Sequence, residues 1–147
     1  MEKKFARNIL FIEDDLEFAQ AFSQVISEKT GSNITVTSDP YEAVMLISDG
    51  AFDLVITDWN LPVLNGFSIL KKAGQAINSD PKSSDYWFSH KTPVIVLTGS
   101  NVEEVDSSKR PHGIFHFLGT VSKRQMPIDI LAEIEGVYAS DSLALAI

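Results

Sequence analysis

The chain has 147 residues, 44% hydrophobic and 22% charged, the balance of one soluble globular domain with a sizeable core. Its net charge of -8 repels phosphate backbones and anionic lipid surfaces, so neither nucleic acid nor membrane is expected as a partner. The absence of cysteine excludes disulfides, thiolate metal sites and cysteine nucleophiles. No apolar run reaches bilayer length. The charged N-terminus leads only into Ile9 to Ile12 before acids interrupt, which is no signal peptide, so a cytoplasmic location is expected.

Short apolar runs alternate with amphipathic stretches along the chain. Ile9-Leu10-Phe11-Ile12 reads as a first strand that stops at Glu13-Asp14-Asp15. Phe18, Phe22, Val25, Ile26 and Lys29 follow at helical spacing, and Gly31 ends that helix. The β-branched run Ile34 to Thr37 predicts a second strand. Asp39-Pro40-Tyr41-Glu42 predicts a helix start, with Asp39 as N-cap, Pro40 in the first position and Glu42 closing a capping box. Val44, Leu46 and Ile47 fill this helix, and Asp49-Gly50 ends it.

Leu54 to Thr57 predicts a third strand ending at Asp58. Leu61-Pro62 and Asn65-Gly66 mark a loop, and Phe67, Leu70 and Ala73 suggest a helix after it. Asn78 to Thr92 is a polar insertion carrying Tyr86-Trp87-Phe88, read as cover for a sheet edge or a partner-binding patch. Pro93 to Leu97 predicts a fourth strand, Val102 to Lys109 a weak helix, and Ile114 to Leu118 a fifth strand. Pro127 opens a last helix carrying Ile128, Leu131, Ile134 and Tyr138. Residues 1–138 are thus expected to form one domain with an insertion about 78–92, and 139–147 a short C-terminal tail whose last residues, Leu143 to Ile147, are apolar.

Five strands alternating with helices imply right-handed crossovers and a parallel sheet. The expected fold is α/β, a doubly wound five-stranded parallel sheet in the flavodoxin-like order 2-1-3-4-5. Such sheets bind ligands outside the carboxyl ends of their strands. There the sequence places Glu13, Asp14 and Asp15 after strand one, Asp58 at strand three and Thr98 at strand four. Converging carboxylates repel unless a cation sits between them, and hard oxygen ligands suit Mg²⁺. A carboxylate beside Mg²⁺ can attack phosphorus and form an aspartyl phosphate. The phosphoryl oxygens then need the metal, a hydroxyl and a cation. Taken alone, Glu13-Asp14-Asp15 would read as a solvated helix start, because acids favour helix N-termini.

The three segments Ile9-Leu10-Phe11-Ile12-Glu13-Asp14-Asp15, Val55-Ile56-Thr57-Asp58-Trp59-Asn60-Leu61-Pro62 and Val96-Leu97-Thr98-Gly99 together resemble the receiver domain of two-component response regulators. The resemblance spans roughly Asn8 to Tyr138, and the interval from Asp14 to Asp58 has the family's length. It implies that Asp58 is the phosphoacceptor and Asp14 a direct Mg²⁺ ligand, with Glu13 acting mainly through water. The backbone carbonyl of Asn60 is implied as a further ligand. Thr98 is implied as the hydroxyl that bonds the phosphoryl group and moves on activation.

Lys123 is the choice for the site cation, because it follows strand five, whereas Lys109 precedes it. Arg124 stands where the family usually has proline after a cis bond. Thr120 stands where an aromatic switch residue is common, and the stretch from Thr98 to Lys123 is longer than usual.

The resemblance implies a chemotaxis-type or phosphorelay receiver, a signalling domain rather than an enzyme. Its partners would be a histidine kinase or histidine phosphotransfer protein and a downstream target protein. Two alternatives stand beside it. A pseudo-receiver would keep the fold and regulate by contact alone. A phosphatase of the haloacid dehalogenase type needs an acid two residues after the nucleophile, where Asn60 stands. No His-Glu-x-x-His motif and no Gly-rich nucleotide loop is present. His116 reads as a strand residue and His90 as a loop residue.

Overall fold

The computed structural model describes residues 5–49, 52–59, 92–99 and 115–145. Within them the order is β1 (Asn8–Ile12), α1 (Leu16–Thr30), β2 (Asn33–Thr37), α2 (Pro40–Asp49), β3 (Leu54–Asp58), β4 (Thr92–Thr98), β5 (Phe115–Ser122) and α3 (Pro127–Leu145). The expected loop at 61–66, the helices at 67–73 and 102–109, Tyr86-Trp87-Phe88, Asn60, His90 and Lys109 lie outside the described residues.

The strands form one sheet in the order β2-β1-β3-β4-β5, and each neighbouring pair is parallel. This is the doubly wound arrangement that the alternating pattern predicts. Side chains alternate across a strand, so sequence parity sorts the core into two layers. Leu10, Ile12, Val55, Val94 and Val96 share one face with Ala43 and Ile47 of α2. Ile9, Phe11, Leu54, Ile56, Ile95 and Leu97 share the other with Ala19, Phe22 and Ile26 of α1 and Ile130, Leu131 and Ile134 of α3. β1, β3 and β4 are therefore covered on both sides, which explains their unbroken apolar character. Truncating a central residue such as Ile56 to Ala would cost about 2–5 kcal/mol.

Local chemistry sets the ends of the helices. Asp15 caps α1 by accepting the Phe18 N–H at 3.1 Å. Gly31 closes α1 at φ 73°, and its N–H donates to the Ser27 carbonyl at 2.9 Å. Asp39 starts α2, its carboxylate accepting the Tyr41 N–H at 2.9 Å and its carbonyl the Ala43 N–H at 3.0 Å. The expected capping box takes a different form. The Asp39 N–H donates to Thr37 Oγ1 at 3.2 Å, so a hydroxyl from β2 fills the role assigned to Glu42.

Two elements outrun their sequence signals. β5 reaches Ser122 instead of Leu118, because Gly119 to Ser122 pair with Ile95 to Thr98 of β4. A register shift between Val94 and Ile95 leaves Leu118 as the extra residue of a bulge. α3 continues past Tyr138 to Leu145 through residues expected to be tail. No helix among the described residues is long and apolar enough to cross a membrane.

Candidate functional site

The carboxyl ends of β1, β3, β4 and β5 meet at one edge of the sheet, and backbone bonds hold the chain just beyond them. The Glu13 N–H donates to the Thr37 carbonyl at 3.0 Å, the Trp59 N–H to the Leu97 carbonyl at 2.8 Å, and the Lys123 N–H to the Thr98 carbonyl at 2.8 Å. Glu13, Lys123 and the residue after Asp58 are thus anchored to the neighbouring strand.

Glu13, Asp14 and Asp58 come together here. One carboxylate oxygen from each lies within 4.8 Å of the others, a spacing able to hold a metal ion. Glu13 is fully buried and Asp58 is 5% exposed, whereas Asp14 faces solvent. Asp15, next in the sequence, belongs to the α1 cap instead. The helix-start reading of the acidic run therefore holds for Asp15, and the site claims its two predecessors.

Lys123 enters from the end of β5. Its ammonium donates to Glu13 Oε1 and lies 3.4 Å from Asp58 Oδ2. Burial, together with the neighbouring Asp58, pushes the Glu13 carboxyl up to about 8, against the pull of Lys123. Burial alone would lower the Lys123 ammonium, but Glu13 and Asp58 together outweigh it and hold that ammonium above its ordinary value. Both shifts express one arrangement: two buried acids, Glu13 and Asp58, share the Lys123 ammonium. A proton or a further cation relieves the repulsion between the acids.

Thr98 is fully buried at the last position of β4, opposite Ser122. Thr57 Oγ1 donates to the Asp58 carbonyl at 3.1 Å, and the Asp14 N–H donates to Glu13 Oε2 at 3.1 Å. The structure thus brings Glu13, Asp14, Asp58 and Lys123 together, with Thr98 on the same edge. Asn60 lies just outside the described residues. His116 is a β5 residue paired with Pro93, as expected.

Two residues at this edge were not assigned a site role from sequence. Arg124 Nε donates to the Gly99 carbonyl, tying the residue after Thr98 to the residue after Lys123. Every peptide bond among the described residues is trans, and Lys123 reaches the acids in that geometry. The second is Phe18, whose ring lies beneath the Lys123 ammonium, 4.7 Å from centroid to Nζ. Helical spacing reads Phe18 as a core position; its place one turn after Asp14, on the helix that starts beside the site, is the signal that marks it.

Residues 9–135 match the profile of the response regulator receiver domain, and the chain belongs to that family. It is 26% identical over 135 residues to the probable transcriptional regulator ycf29 of Pyropia yezoensis, a match covering 92% of this chain and 54% of the relative. The chain spans about half the length of such curated relatives. Among solved structures, the receiver domain of the Francisella response regulator 1452 superposes with a TM-score of 0.64 at 26% identity, covering 91% of this chain and 98% of that one. The receiver domain of the sensor histidine kinase PA1611 from Pseudomonas aeruginosa PAO1 has a magnesium ion coordinated in its active-site cleft. It superposes with a TM-score of 0.65 at 20% identity, over 92% and 99% of the two chains.

Proposed function

We propose that this receiver is a phosphorylation switch in which Asp58 accepts a phosphoryl group from the phosphohistidine of a histidine kinase or histidine phosphotransfer protein. The observation that carries the reading is the convergence of Glu13, Asp14, Asp58 and Lys123 at the strand ends beside buried Thr98.

The residues present fit Mg²⁺. Two oxygens on one Mg²⁺, each at about 2.1 Å, lie no more than about 4.2 Å apart, close to the 4.8 Å within which the three carboxylates already fall. Asp14 and Asp58 would bind it directly with the Asn60 carbonyl, and Glu13 mainly through water. When bound, the ion neutralises part of the charge on the phosphoryl oxygens and orients them.

The chain's own groups do the rest. A carboxylate oxygen of Asp58 attacks phosphorus in line, the phosphorus–nitrogen bond breaks, and its electron pair returns to the partner's imidazole. The product is an acyl phosphate. Lys123, already drawn between Glu13 and Asp58, turns its ammonium to a phosphoryl oxygen. The Thr98 hydroxyl donates to another. That new bond draws Thr98 inward and biases the domain toward a surface that a downstream protein prefers. The reach of Lys123 to both acids weighs against the pseudo-receiver.

The test is intact mass after incubation with acetyl phosphate and Mg²⁺. One added phosphoryl group on the wild type, absent with EDTA and absent in Asp58→Asn, is expected. No adduct on correctly folded wild type, together with no binding of beryllofluoride, would overturn the reading.

A further inference from the structure

The Lys123 ammonium has acids on one side and an aromatic face on another. Its Nζ stands 4.7 Å from the centroid of Phe18. That distance falls inside the range in which the negative face of a ring attracts a cation. The ring is itself held in place. It stacks on Phe22 at 5.6 Å with an interplanar angle of 21°, and it meets Phe11 edge-on at 6.2 Å. Phe22 in turn packs edge-on against Phe11 at 5.5 Å, and both are fully buried. α1 thus carries a rigid aromatic ledge from the core to the site, with Phe18 as its outermost ring. Lys123 is only part-buried, with 18% of its side chain exposed, so a long flexible side chain otherwise has room to leave.

We propose that Phe18 is a positioning residue, whose ring face seats the Lys123 ammonium at the site and keeps it within reach of Asp58 when Glu13 turns away. The inference rests on the phosphoacceptor reading of Asp58 and goes beyond it by naming what holds the lysine. Without the seat, the partners of the ammonium among the described residues are two carboxylates, Glu13 and, at 3.4 Å, Asp58, and both are drawn elsewhere when a cation or a phosphoryl group engages them. The ring face imposes no hydrogen-bond geometry, so contact with it can persist while the ammonium exchanges the Glu13 oxygen for a phosphoryl oxygen.

The test separates ring electronics from ring size. Stepwise fluorination of Phe18, incorporated at that position alone, withdraws electron density from the face with little change in shape. The rate of phosphoryl uptake from acetyl phosphate and Mg²⁺ is expected to fall progressively, by about fivefold at full fluorination. Phe18→Tyr should keep the wild-type rate, and Phe18→Leu should lose about as much as the fully fluorinated ring.

A second readout needs no phosphorylation. The Lys123 ε-methylene protons should show an upfield ring-current shift in the NMR spectrum that Phe18→Leu abolishes. A flat fluorine series with the shift intact overturns the positioning role, and absence of the shift in the wild type overturns the seat itself. Absence of any uptake by a wild type that shows the shift counts against the phosphoacceptor reading instead.

Discussion

Strand β3 has an aspartate at either end, and the two keep different company. Asp53, just before the strand, is exposed and accepts the backbone N–H groups of Arg7 at 3.1 Å and Asn8 at 2.9 Å. Its own N–H donates to the Asn8 carbonyl at 2.8 Å. Asp58, at the other end, is nearly buried, with Glu13 and Asp14 beside it and the Lys123 ammonium at 3.4 Å. One acid is satisfied by the backbone and knits β1 to β3. The other sits where like charges crowd, offset by one ammonium, as the proposed site requires. An acid at a strand end is therefore not functional by position alone; its partners decide.

The sharpest contrast is chemical. Asp58→Asn should take up no phosphoryl group from acetyl phosphate, while Asp53→Asn should keep the wild-type rate, both read by intact mass. A modified Asp58→Asn protein would break the comparison. Lys123→Ala should follow next, slowing uptake about 10²-fold, as expected for loss of one charge-stabilising donor; time courses of the adduct would show it, and an unchanged rate would remove Lys123 from the site.

The two ends should also differ toward metal. Mg²⁺ at about 100 times its dissociation constant should stabilise the wild type and Asp53→Asn by about 2.7 kcal/mol in urea unfolding. Asp58→Asn should lose most of that increment.

A pH effect comes from Glu13. Its neutral form is favoured in the fold, where its carboxyl is pushed up to about 8 from an ordinary 4.5. Between those values the folded chain holds a proton that the unfolded chain has released. The resulting stability of the metal-free protein is complete below about pH 4.5 and lost as pH rises through about 8. Glu13→Gln should flatten this slope in urea midpoints taken across that window, and a slope unchanged by the substitution would assign it elsewhere.

The parts of this molecule that were legible in the sequence are those governed by short-range pattern. β1, β3 and β4 read as apolar runs because both faces are covered, and Asp15, Gly31 and Asp39 announced helix ends through side-chain and backbone preferences that operate within a few residues. Glu13, Asp14, Asp58 and Thr98 followed from the strand ends. The apolar run ends β5 at Leu118, because Gly119 and Thr120 carry no strand signal, whereas pairing with β4 keeps them extended. The apolar spacing of α3 ends at Tyr138, yet Ala139 to Leu145 contain no helix breaker and the helix runs on. The Phe18 contact was hidden for another reason: it joins α1 to the end of β5, and no local pattern encodes it.

The claim that the two ends of β3 hold their acids for different purposes is tested most directly by urea unfolding of Asp58→Asn and Asp53→Asn side by side, without divalent cations. Removing a charge from the crowded end should raise the midpoint. Replacing the charged acceptor of two backbone N–H groups by a neutral amide oxygen should lower stability by about 1 kcal/mol. Opposite signs are the predicted result; an equal loss in both variants would mean that Asp58 is a structural anchor like Asp53 and would contradict the account.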